Sequence, residues 1–87
     1  MDKEALNQLM RCDLLKSKIE RLEPGNAKTI INIVESECIE RGNEEENLLE
    51  NIYRKLLQGV DYSEVKTMED IIYVNAKFDM TRNWLTL

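Results

Sequence analysis

The sequence predicts an all-α fold, a small bundle of four or five helices. Three observations carry this. Apolar residues recur at three- and four-residue steps along most of the chain, the spacing of one helix face. Pro24, Gly25, Gly42 and Gly59 fall where those periodic segments stop, as helix breakers do. The chain has 87 residues, 43% of them apolar. That is enough for one core and therefore for a single domain spanning 1–87.

The first helix is expected over 3–22. Ala5, Leu9, Cys12, Leu15, Ile19 and Leu22 share one face. Leu6, Met10 and Leu14 form a second row, so the helix is either buried on two sides or offers a face to a partner. A break near 11–13, with Asp13 capping a new helix, is the alternative. Glu23-Pro24-Gly25-Asn26 ends the segment. Pro24 suits a first helical position, and Asn26 suits a cap for a helix beginning at Ala27. The second helix is expected over 26–41, with Ala27, Ile30, Ile31, Val34 and Cys38 on one stripe.

Gly42 supplies the next stop. Asn43 with Glu46 three residues on is a variant capping box. Glu44, Glu45 and Glu46 then fall in a first turn, where the helix dipole favours acids. The third helix, 44–58, carries Leu48, Leu49, Ile52, Tyr53, Leu56 and Leu57 over nearly half its circumference and is expected to be central. Gly59 ends it. Ser63, or Thr67 with Asp70, starts a fourth helix over 64–82 in which Val65, Met68, Ile72 and Ala76 keep helical spacing. The β-favouring run Ile71–Val74 offers a hairpin instead; a lone hairpin is poorly stable, so helix is preferred. Trp84 is expected to dock back on the bundle. The predicted core is Leu15, Ile19, Ile30, Val34, Leu49, Ile52 and Leu56.

Composition excludes more functions than it suggests. There is no histidine, which removes histidine-based triads and histidine metal sites. Cys12 and Cys38 alone do not complete a zinc set, and they read as buried free thiols. Their presence without a signal peptide points to a reducing, cytoplasmic compartment, and Met1 reads as a natural start. No glycine motif cradles a phosphate, and no apolar run reaches the ~20 residues of a membrane span. The net charge of −5 opposes direct nucleic-acid binding and favours basic partners. No cofactor and no enzymatic activity are expected.

Met10, Asp13, Leu15, Ile19, Leu22, Pro24, Ala27, Ile30 and Ile33-Val34 resemble the pattern of the MLLE domain of poly(A)-binding proteins. The elbow Leu22-Glu23-Pro24, with Asn26-Ala27 and Ile30-Ile31, is similar to the N-terminal helical domain of plant CCCH zinc-finger proteins. The MLLE family's Lys-Ile-Thr-Gly-Met-Leu-Leu-Glu segment reads here as Thr29-Ile30-Ile31-Asn32-Ile33-Val34-Glu35-Ser36. The resemblance implies a helical module that seats a short segment of another protein, with RNA metabolism as its setting. It places ligand contacts between helices two and three. Ile30 would be the floor, Ile31 and Ile33 the walls, and Leu48 and Leu49 the far side. Glu37 and Glu40 would form a rim favouring a basic or amide-rich peptide. Ile33 has a second reading, as a residue covered by a neighbouring helix or the tail. The rival functional reading is a small acidic inhibitor, immunity- or antitoxin-like, that neutralises a basic protein by charge complementarity.

Overall fold

The computed structural model describes residues 3–38 and 44–86, with the side chains of 3–37 and 45–81. Four helices make up the described chain: α1 Lys3–Leu22, α2 Ala27–Cys38, α3 Glu44–Leu57 and α4 Met68–Thr86. The fold class is the all-α bundle the sequence predicts. The first helix runs unbroken, so Arg11–Asp13 is not a junction. The β-favouring run Ile71–Val74 is helical. The expected caps at Gly42 and Asn43 lie outside the described residues, as does the expected docking of the Trp84 side chain.

Turn chemistry explains the helix ends. At the first elbow the Glu23 carbonyl accepts the N–H groups of Asn26 (3.2 Å) and Ala27 (2.9 Å), and the Asn26 carbonyl accepts the first bond of α2 from Ile30 (3.2 Å). Asn26 is therefore the residue flanking α2, and Pro24 lies in the turn before it. The end of α3 is a Schellman motif. Val60 N–H reaches back to the Lys55 carbonyl (3.1 Å), Gly59 N–H bonds the Leu56 carbonyl (3.0 Å), and Gly59 has φ of 89°. That pairing satisfies carbonyls the helix end would otherwise orphan. α4 begins with a reciprocal box. Asp70 N–H donates to Thr67 Oγ1 (3.2 Å), while Asp70 Oδ2 accepts from Thr67 N–H (3.1 Å) and Lys66 N–H (2.9 Å). The box sets the start of α4 four residues later than the expected 64, and the helix runs past the expected 82.

The glycines therefore differ in kind. A Cβ on Gly59 meets nothing within 4 Å, so substitution costs only the left-handed backbone. Gly59→Ala is expected to lower stability by ~1 kcal/mol. Gly25 has equal space and no positive φ, so Gly25→Ala is expected to be neutral or slightly stabilising. Urea unfolding of the two variants checks this contrast.

α3 packs against both α1 and α2, and α4 docks chiefly on α2. The core is built from Cys12 and Ile19 of α1, Ala27, Ile30, Ile31 and Val34 of α2, Leu49 and Ile52 of α3, Ile71 of α4, and Tyr62 and Val65 of the α3–α4 connection. Leu15 and Leu56, expected in the core, are half-buried at its edge. The exposed row of α4 corrects the sequence reading more sharply. Ile72 and Ala76 are exposed, while Ile71 and Asn75 take the buried positions. α4 carries apolar residues on two rows, and Asn75 is drawn inward because the Tyr62 hydroxyl, itself fully buried, donates to its Oδ1 (2.5 Å).

Polar ties join the helices around this core. Lys16 of α1 lies 2.7 Å from Glu35 of α2 and 3.1 Å from Glu45 of α3, and Arg11 lies 2.7 Å from Glu46. The Glu45 contact is an ion pair without hydrogen-bond geometry, since its Oε1 has no hydrogen-bond partner. The acidic first turn of α3 is thus engaged by α1 as well as favoured by the helix dipole. Lys55 is buried, with Nζ 2.6 Å from Asn51 Oδ1, 3.3 Å from Asp79 Oδ1 and 5.8 Å from the centre of the Phe78 ring. Its ammonium is therefore partnered where an unpaired buried charge would be costly.

Candidate functional site

The residues expected to contact a partner are mostly structural. Ile30 and Leu49 are at 0% exposure and Ile31 at 7%. Ile33 and Leu48 are half-buried against that core. Glu37 is exposed, and Glu40 lies outside the described residues. A segment seated between α2 and α3 would have to displace core side chains. The reason is that α3 packs on α2 and α1 together, so the space the resemblance reserves for a ligand is filled by the chain's own isoleucines and leucines.

Open space lies elsewhere. A cleft of about 490 Å³ runs between the α3–α4 connection and α4, within the size range of ligand sites. Its apolar lining is Val60, Val65, Val74 and Phe78, with Tyr73 on one wall. Its polar lining is Asp61, Glu64, Asp70, Lys77 and Thr81. Three carboxylates against one ammonium leave the rim net negative.

Local structure holds these groups in place. The Schellman turn throws Val60 and Asp61 off the end of α3. Asp61 Oδ1 then accepts Ser63 N–H at 2.9 Å, a side-chain turn typical of Asp. Val65 N–H bonds the Tyr62 carbonyl (3.2 Å). Tyr62 anchors the whole connection: its ring is buried, its hydroxyl reaches Asn75, and its carbonyl also accepts from Asn26 Nδ2 at 2.5 Å. Burial, then the Asp79 charge, push its phenol pKa up, so it stays a donor. The backbone and side-chain bonds from Ser63 hold the Asp61 carboxyl below its usual range, and the Lys66 N–H does the same for Asp70. Both stay ionised when the pH falls to ordinary carboxylate values. Glu64 has no ion pair among the described residues.

Among the described residues no group of three or more acids and thiols has metal-site geometry. Cys12 is buried and free. Burial and then the Glu45 charge push its thiol pKa up, which disfavours the reactive thiolate. Sequence reasoning noted Asp70 as a helix-start signal and Val65 and Tyr73 only as pattern members. Nothing in the spacing of Asp61, Glu64 and Asp70 announces that the chain brings them around one cavity.

A second apolar surface lies on α1. Every residue from Lys3 to Arg11 except the half-buried Gln8 is exposed, and Leu6, Leu9, Met10 and Leu14 are each about half exposed or more. The second row of the first helix therefore points away from the core.

The fold and cleft define a small all-α protein with an acidic-rimmed apolar groove; no helix among the described residues is long and apolar enough to cross a membrane. No family model, no curated protein and no solved structure matches the chain.

Proposed function

We propose that this protein is a non-enzymatic interaction module that seats a short basic segment of another protein in the cleft between the α3–α4 connection and α4. The single observation that supports this is the pairing of an apolar floor with a net-negative rim in one open cavity. Val60, Val65 and Val74 offer burial to an aliphatic side chain. Asp61, Glu64 and Asp70 offer charge-assisted hydrogen bonds to a guanidinium or ammonium beside it. The overall charge of −5 steers such a segment toward the module. The same acidity supports the inhibitor reading as second choice, in which the basic partner is a whole protein surface. A short peptide suffices for the module, whereas an inhibitor needs the folded partner.

A capped probe peptide, acetyl-Arg-Leu-Arg-amide, tests the module. Amide shifts on its addition should centre on Val60–Val65 and Tyr73–Phe78, and acetyl-Glu-Leu-Glu-amide should leave them unmoved. Asp61→Asn with Glu64→Gln should weaken binding about fivefold or more. Because hydrogen bonds hold the Asp61 and Asp70 carboxyls below the usual aspartate range, binding should be unchanged from about pH 8 to about pH 5 and fall only in stronger acid. Shifts confined to Leu6, Met10 and Leu14 would move the interface to α1. Shifts at Ile30–Glu37 and Leu48–Ile52 would move it to the α2–α3 seam. Either result overturns the cleft assignment.

A further inference from the structure

The outward face of α4 is a feature the cleft explains only in part: Tyr73 and Lys77 line the cleft, whereas Ile72, Ala76 and Met80 do not. Toward the bundle α4 presents Met68, Ile71, Asn75 and Phe78. Away from it stand Ile72, Tyr73 and Met80 at 56%, 66% and 72% exposure, with the exposed Ala76 between them. A helix that is apolar on both sides is ordinarily covered on both, yet α4 docks chiefly on α2.

We propose that this face docks a second copy of the chain, α4 against α4 in antiparallel orientation. Charge selects this occupant. Glu69, Tyr73 and Lys77 follow one another at four-residue steps and form a single ridge across the exposed face. The ridge has an acid at one end, a base at the other and an aromatic ring in the middle. Neither Glu69 nor Lys77 has an ion pair among the described residues. When two helices pack by their i±4 ridges, the ridges lie alongside one another. In an antiparallel pair they run in opposite directions, so Glu69 meets Lys77 of the partner subunit, and Lys77 meets Glu69 of the partner subunit. That is the self-complementarity a twofold interface requires. The neighbouring ridge, Ile72–Ala76–Met80, has its smallest side chain at the centre. Ala76 leaves a hollow between Ile72 and Met80 that admits the Tyr73 ring of the partner subunit.

The rival occupants fit less well. A lipid surface would have to cover the charges at both ends of the ridge. A peptide of a single charge sign would match one end of the ridge and oppose the other, whereas an antiparallel second copy matches both. Three large exposed apolar side chains fall short of the ~800 Å² per partner of a standard interface, so the dimer is weak and depends on concentration. Pairing also turns Lys77 toward Glu69 of the partner subunit, drawing away the one cation among the described residues that line the cleft. Dimerisation is therefore expected to favour, not block, a basic segment there. The dimer does not rest on the cleft having a ligand.

The test is a charge exchange read by sedimentation velocity of the full chain, from about 10 μM to about 1 mM at moderate salt, a range suited to a weak interface. The wild-type sedimentation coefficient should rise with concentration. E69K and K77E each place like charges opposite one another twice in the dimer, and each should weaken association by about tenfold or more. The double variant E69K/K77E restores opposite charges and should return to within about threefold of wild type. Circular dichroism of all four proteins should show equal helix content, which separates lost pairing from lost fold. A wild type that stays monomeric throughout overturns the proposal. So do single variants that associate like wild type, or a double variant no better than the singles. Sedimentation reads pairing, and the probe-peptide shifts at Val60–Val65, which lie off the α4 ridge, read the cleft, so failure of one is distinguishable from failure of the other.

Discussion

Tyr62→Ala is expected to lower stability by ~3–5 kcal/mol, the range for deleting a buried aromatic ring. Against the ~5–15 kcal/mol that holds an ordinary domain together, that is enough to leave much of the population unfolded at physiological temperature. The ring is fully buried, and it lies in the connection between α3 and α4, outside any helix of its own. Its removal empties a cavity and also frees the segment that carries Asp61 and Val65. Tyr62→Phe separates the two contributions. It keeps the ring but leaves Asn75 Oδ1 without the hydroxyl that donates to it at 2.5 Å. A buried acceptor stranded in this way costs ~1–3 kcal/mol. Pairing Tyr62→Phe with Asn75→Leu removes both members of the bond, and the double variant should recover most of that loss. Urea denaturation of the four proteins measures the cycle. A Tyr62→Phe variant as stable as wild type would show that Asn75 Oδ1 finds another donor and that the hydroxyl does not hold it.

Ile52→Ala is the second large effect, expected at ~2–5 kcal/mol. Ile52 has no exposed surface and belongs to the face of α3, the helix that packs on both α1 and α2. Few neighbours can collapse into the space left behind, because Leu49, Ile30 and Val34 are themselves fully buried. The loss should appear as a lower urea midpoint with little change in slope. Leu57, on the same helix but 58% exposed, is the control, and Leu57→Ala should stay within about 0.5 kcal/mol of wild type. A loss below about 1 kcal/mol at Ile52 would show that α3 is not the element on which the others pack.

Much of the local architecture was legible in the residues themselves. The bounds of α1 match the expected 3–22, because no residue inside that span breaks a helix and Pro24-Gly25 stops it. The end of α3 follows from Gly59, whose lack of a side chain permits the positive φ of a Schellman turn. Thr67 and Asp70 carry the start of α4 in their side-chain oxygens. These signals act over three or four residues, so they survive without knowledge of the rest of the fold.

Tertiary packing decided which face of each helix turned inward and what surrounded the open space. Helices α1 and α4 each carry two apolar rows, and a periodic pattern does not rank them. In α1 the bundle covers Cys12 and Ile19 and leaves Leu6, Met10 and Leu14 in solvent. In α4 it buries Ile71 and Asn75 and exposes Ile72 and Ala76. The polar residue is inside because a buried tyrosine hydroxyl thirteen residues earlier in the chain needs an acceptor. The cleft is of the same kind. Asp61 and Asp70 have local readings as turn and cap residues, and with Glu64 they become a rim only when the connection folds back along α4. The sequence by itself thus determines where helices start, stop and keep an apolar stripe, because capping and periodicity are short-range. Which stripe is core and which carboxylates share a cavity depend on contacts between residues far apart in the chain, and those exist only once the helices have packed.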